Sequence, residues 1–186
     1  MSAKVYIAGT TFKRVPASTN VEVFAVGSPR VRVLVVDDYE PWRRFIVATL
    51  QEQPELDVIA EASSGLEAVE EAQELRPDLI LLDIGLPGLN GIDAARRIKA
   101  GANDARILFV SENRSREIVE EALRTGAGGY VIKGEANSDL LSGVRTVLAG
   151  GRFVSAALGN YYVLATGVTG AQAYVSSLLV FLAGIL

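Results

Sequence analysis

The sequence of 186 residues contains neither cysteine nor histidine. Without cysteine there is no disulfide framework and no thiolate metal site, and without histidine the commonest general base and metal ligand is gone. Any chemistry must therefore run on carboxylates, hydroxyls, lysine or a bound cation. No N-terminal stretch joins a basic start to a long apolar core, which argues against a secretory signal and makes the cytoplasm the expected compartment. G-x-x-x-x-G-K-[ST] is absent, and Gly85, Gly88 and Gly91 do not have the G-x-G-x-x-G spacing, so nucleotide loops of either kind are excluded.

What is present is a globular balance of 49% apolar and 22% charged residues, enough for one ordinary domain with appendages. Charge divides the chain in three. Residues 1–30 hold Lys4, Lys13, Arg14 and Arg30 against Glu22 alone, residues 31–152 hold 14 basic and 21 acidic residues, and residues 153–186 hold no charge at all. The acidic middle, at a local charge of −7, repels nucleic acid.

The middle segment reads as alternating strands and helices. "VRVLVV" (31–36) is a β-branched run suited to a strand buried on both faces, followed by Asp37, Asp38 and a helix with Pro41 in its first turn. "LDVIAEA" (56–62) is the second strand. The helix after it starts at Ser64 with Glu67 three residues on, a capping-box spacing, and Leu66, Val69 and Leu75 form its apolar stripe. "DLILL" (78–82), a helix from Asn90, "RILFV" (106–110), a helix over 114–124, "GYVI" (129–132) and a helix over 138–149 complete the series. Five strand and helix pairs in strict alternation imply an α/β fold, a doubly wound, five-stranded parallel sheet with helices on both faces.

The polar residues cluster at one edge of that layout. Asp37 and Asp38 end the first strand, Asp83 the third, Ser111 the fourth and Lys133 the fifth. The carboxyl edge of an open parallel sheet holds the ligand crevice where the winding reverses. In a 2-1-3-4-5 strand order three carboxylates converge there, and a hard cation such as Mg2+ relieves their repulsion. A carboxylate can also attack phosphorus to give an aspartyl phosphate, with a lysine and a metal neutralising the phosphoryl oxygens. Trp42 reads simply as a packed or half-exposed residue of the first helix. Each of the others alone also has a plainer explanation: Asp38 as a helix cap, Asp83 as a turn former before "GLPG", Ser111 as a cap, Lys133 as a solvated charge and Tyr130 as a core aromatic. Together they would require a series of coincidences at one sheet edge.

The set Asp37-Asp38, Asp83 followed by Pro87-Gly88, Ser111 and "GYVIK" ending in Lys133 resembles the receiver domain of two-component response regulators. "DIGLPGLNG", "SEN" and "GAGGYVIK" are most similar to receivers of the LuxR type, over roughly 31–152. The resemblance implies a flavodoxin-like fold in which Asp83 is the phosphoacceptor. It further implies that Asp37, Asp38, Asp83 and the Gly85 carbonyl hold Mg2+, that Ser111 and Lys133 contact the phosphoryl group, and that Tyr130 changes rotamer when Ser111 moves. A sensor histidine kinase is the implied donor, and a partner protein or a second copy the implied target of the switched face. Such a receiver promotes its own phosphorylation and dephosphorylation without being an enzyme on another substrate. Haloacid-dehalogenase-type phosphatases fit less well, since Gly85 stands where their second Asp is needed.

The ends depart from the LuxR pattern. Residues 153–186 have no Arg or Lys for DNA phosphates and no recognition helix, so DNA binding by this chain is not expected. "SSLLVFLAGIL" is apolar enough to raise a membrane span, but four glycines and scattered polar residues favour a packed or self-associating tail, or a truncated output region. The leader 1–30 carries two strand-like runs, "VYIA" and "VEVFAV", and no motif. Gly134 follows Lys133 where receivers of this type often carry Ser, Thr or Pro. The output is thus expected to be either a stand-alone switch of a protein-binding face, or the remnant of a transcription regulator or a membrane-tethered receiver.

Overall fold

The computed structural model describes residues 30–101 and 104–158; the leader and the tail beyond Leu158 lie outside the described residues. Six parallel strands form one sheet: β1 (Val31–Val36), β2 (Leu56–Ala62), β3 (Leu79–Leu82), β4 (Arg106–Ser111), β5 (Gly129–Ile132) and β6 (Phe153–Val154), in the order β2-β1-β3-β4-β5-β6. Five helices connect them: α1 (Glu40–Gln51), α2 (Gly65–Leu75), α3 (Gly91–Ala100), α4 (Arg116–Arg124) and α5 (Ala136–Leu148). The winding reverses between β1 and β3, whose pairing runs from Val33 opposite Leu79 to Val36 opposite Leu82.

The strands are buried on both faces because successive side chains alternate between two cores. Leu34, Val36, Ile80, Leu82, Ile107, Phe109 and Tyr130 share one core with α2, α3 and α4. Val33, Val35, Leu79, Leu81, Leu108 and Val131 share the other with Ile46 and Leu50 of α1 and Leu140, Val144 and Val147 of α5. A continuous run such as "LILL" is thus half of each core, which is why its composition looks the same throughout.

Two expectations need correcting. The stripe Leu66, Val69 and Leu75 is only partly the inner face of α2: Val69 packs against the core, but Leu66 is 52% exposed and Gly65, Ala68 and Ala72 are the buried residues. A β-carbon on Gly65 would run into the Leu89 carbonyl, so α2 sits too close to its neighbours for large side chains at the contact. The sheet also has a sixth strand, in the segment that composition groups with the tail. Phe153 N–H donates to Gly128 O (3.1 Å), Ser155 N–H to Tyr130 O (3.0 Å), and Ile132 N–H to the Ser155 hydroxyl (3.0 Å), so β6 covers the β5 edge. A two-residue strand is too short to show a period, and lack of charge says nothing of pairing.

Ser64 caps α2 as its spacing predicts, accepting from Glu67 N–H at 3.3 Å. The return bond is displaced by one residue, with the Glu67 carboxylate accepting from Ser63 N–H (2.7 Å) and the Ser63 hydroxyl (3.0 Å).

Candidate functional site

Backbone pairing at the winding reversal brings the acidic residues together. Asp83 N–H donates to Val36 O (2.9 Å) and Asp37 N–H to Ala62 O (3.1 Å), so the chain leaves β1 and β3 side by side. One ligand oxygen from each of Asp37, Asp38 and Asp83 lies within 4.8 Å of the others. Asp37 and Asp83 are buried, at 0% and 6% exposure, while Asp38 faces solvent. Gly85 adjoins the group, a β-carbon there falling 3.6 Å from Asp83 Oδ2. Gly91 is pressed against the same loop: a side chain at that position would meet the Asp83 carbonyl, so only glycine lets α3 begin there.

Lys133 crosses from the end of β5 to bridge the two buried carboxylates. Its Nζ lies 2.6 Å from Asp37 Oδ2 and 2.9 Å from Asp83 Oδ2, with the lysine side chain 10% exposed. The Asp83 contact is a hydrogen bond; at Asp37 the ion pair to Oδ2 is joined by a hydrogen bond from Tyr39 N–H to Oδ1 (3.0 Å). Burial pushes the Asp37 carboxyl above its usual range, against the lowering effect of Lys133. For Lys133 burial works to lower the ammonium, but its bonds to Asp37 and Asp83 and their charges outweigh it and the net shift is upward. The lysine therefore stays charged, and the buried acid carries the strain of the cluster.

The plainer readings of these residues can be compared with the geometry. α1 takes Tyr39, not Asp38, as its N-cap and has no side-chain cap. Asp83 does turn chemistry with one oxygen, Oδ1 accepting from Ile84 N–H at 2.7 Å, and leaves Oδ2 to Lys133. Ser111 ends β4, 4% exposed, opposite Ile132 and hence one residue from Lys133 in register; its hydroxyl accepts from Asn113 N–H at 3.4 Å, and Ser115 is the N-cap of α4. Tyr130 is fully buried, its hydroxyl donating to Asn113 O (2.8 Å) and its ring 6.3 Å from that of Phe109. The Tyr130 ring lies inside because its hydroxyl finds a carbonyl acceptor there.

Arg43 escapes the sequence reading, and Trp42, half-buried on α1 as expected, has a neighbour that reading did not give it. Arg43 donates to the Asp37 carbonyl (2.6 Å) and pairs with Glu61 (3.0 Å), tying α1 and β2 to the acidic turn. Trp42 is half-buried on α1, with Lys133 Nζ 5.8 Å from its ring centroid. Nothing in "PWRRF" marks which of its side chains turn toward the sheet edge.

Parallel winding, a carboxylate trio at the switch point and a lysine reaching in from the last long strand define a receiver-type site. Residues 33–145 match the family model described as response regulator receiver domain, and the chain belongs to that family. It is 34% identical over 125 residues to the response regulator GacA of Pseudomonas viridiflava, covering 67% of this chain and 58% of that protein. It is 35% identical over 126 residues to the nitrate/nitrite response regulator protein NarL of Escherichia coli K12, covering 68% and 58%. A two-component response regulator of the LuxR family from Aurantimonas sp. SI85-9A1 superimposes with a TM-score of 0.67 at 32% identity, over 69% of this chain and 92% of that one. The chain thus spans little more than half the length of the curated relatives it matches.

Proposed function

We propose that Asp83 accepts a phosphoryl group from a phosphohistidine on a sensor kinase and that the modification switches a protein-binding face. The observation that carries this is the Lys133 ammonium bridging Asp83 Oδ2 and Asp37 Oδ2 beside a third carboxylate, at the edge where the sheet reverses. An Asp83 oxygen forms the new O–P bond as the P–N bond to the donor imidazole breaks, and the imidazole keeps the nitrogen electron pair. The sequence holds no histidine, so the donor is a separate protein or segment.

The residues present fit Mg2+: all three side chains offer hard oxygen, and one oxygen of buried Asp37 lacks a directed donor. Asp37, Asp38, Asp83 and the Gly85 carbonyl would hold it. When bound, the ion neutralises charge on the phosphoryl oxygens and orients them for in-line transfer. Lys133 moves from the Asp83 carboxylate to a phosphoryl oxygen, Ser111 turns its hydroxyl to another, and the loop after β4 follows. Since Tyr130 is already inside, its bond to Asn113 O tightens rather than forms, biasing the α4, β5 and α5 face between two pre-existing arrangements. The same groups that admit a phosphoryl group admit an attacking water, so self-dephosphorylation goes with acceptance. A second copy or a partner protein in the cytoplasm is the proposed reader of that face, and no nucleic acid is.

Intact mass after incubation with Mg2+ and acetyl phosphate tests this. Wild type should gain one phosphoryl group and Asp83→Asn none; an adduct that persists on Asp83→Asn, or none on wild type, refutes the assignment.

A further inference from the structure

Lys133 carries its charge on a flexible four-carbon stem, and something must keep the ammonium at the carboxylate pair. The two carboxylates attract it, and the single 3-10 turn Lys133–Glu135 that follows leaves the stem its freedom. Gly134 follows, and a β-carbon there would have only Arg114 Nη2 at 3.3 Å and Ile132 Cγ2 at 4.0 Å for neighbours. On the other side stands an indole. Trp42 lies in the first turn of α1, with Lys133 Nζ over its ring at 5.8 Å from the centroid, within reach of a cation–π attraction. Phe45 backs the indole at 4.9 Å between centroids and 33° between planes. Trp42 Nε1 is closed off from solvent and has no hydrogen-bond partner among the described residues, so ring contacts rather than a polar bond place the indole.

The turn that carries Trp42 is anchored to the acidic cluster itself. Tyr39 O accepts from both Trp42 N–H and Arg43 N–H at 3.0 Å, and Arg43 reaches back to the Asp37 carbonyl at 2.6 Å. The ring is thus tied through its own turn to the backbone of Asp37. A hydrogen-bonding neighbour would pin the ammonium to one point, whereas the attraction of a ring face changes little as the cation slides across it. That tolerance is what Lys133 needs in leaving Asp83 Oδ2 for a phosphoryl oxygen.

We propose that Trp42 is a positioning residue of the phosphoryl-transfer site, its ring face restraining the Lys133 ammonium at the Asp37 and Asp83 pair while leaving it free to slide toward the phosphoryl group. The proposal rests on Asp83 being the phosphoacceptor. It is tested on the full chain with Trp42→Leu and Trp42→Phe, each checked for native circular dichroism, using acetyl phosphate and Mg2+ as the probe. Trp42→Leu should lower the phosphorylation rate at saturating donor about tenfold with KM changed less than about twofold, and Trp42→Phe, which keeps a ring, should stay within about threefold of wild type. Wild-type rates for Trp42→Leu, or equal losses in both variants, overturn the proposal. Should Trp42→Leu not fold, the sole tryptophan of the chain supplies a second arm without catalysis. Lys133→Met should alter the intensity of its fluorescence, and unchanged emission overturns the contact. A wild type that gains no adduct while its emission responds to Lys133→Met would remove the phosphoacceptor reading and leave the contact standing.

Discussion

Asp37 is where the site costs the fold most. It is wholly buried beside two other carboxylates, with the Lys133 ammonium and the Tyr39 N–H (3.0 Å) for compensation, and burial drives its carboxyl upward. A residue kept charged against its surroundings indicates stability given up for ligand binding. Asp37→Asn should therefore raise the free energy of unfolding by about 1 kcal/mol while weakening Mg2+ binding. Urea denaturation with and without the metal checks both halves, and a destabilised variant would show that Lys133 compensates the charge fully.

At the level of single elements, the α2 cap and β6 each make a measurable claim. The Glu67 carboxyl is lowered first by the Ser63 backbone N–H and next by the Ser63 hydroxyl. A depressed acid contributes stability that is complete above its unfolded value, 4.5 for Glu, and lost as pH falls through the folded value below it. Glu67→Gln should flatten the acid limb of the stability curve below that point and cost about 0.5 kcal/mol at neutral pH, the low end for a cap because the group is solvated. Ser155→Ala should cost more, about 1–2 kcal/mol, since it orphans the buried Ile132 N–H. Amide exchange at Ile132 should quicken in the same variant. The Ser64 to Glu67 spacing was legible in the sequence because capping is a local bond. The Ile132 to Ser155 bond was not, because it joins residues 23 apart and no pattern announces a two-residue strand.

For the molecule as a whole, the reversal of winding between β1 and β3 turns scattered acidic residues into one binding site. A ligand that binds only the folded chain stabilises it by mass action, so saturating Mg2+ at 100 times its dissociation constant should add about 2.7 kcal/mol, removable with a chelator. Thermal unfolding with and without EDTA measures this, and no shift would refute a native-state metal site. Alternation of strand and helix made the parallel sheet readable from sequence, and the apolar runs fixed Asp37, Asp38, Asp83, Ser111 and Lys133 at strand ends; the order 2-1-3-4-5 came with the resemblance to receivers. Leu66 misled because hydrophobicity alone ignores how close two backbones approach. Arg43 and the place of Trp42 beside Lys133 were not legible for a related reason: a helix face is known from its period, but which residue overhangs the sheet edge depends on the crossing.

The bonds that hold β6 have one more consequence. Ser155 accepts from Ile132, the residue before the bridging lysine, and donates its own N–H to the carbonyl of Tyr130. The segment after α5 is thereby tied to the strand that carries both the lysine and the aromatic of the site. On the proposed reading, a shift of β5 on modification of Asp83 would be felt first at Phe153–Ser155, the described residues bonded to that strand.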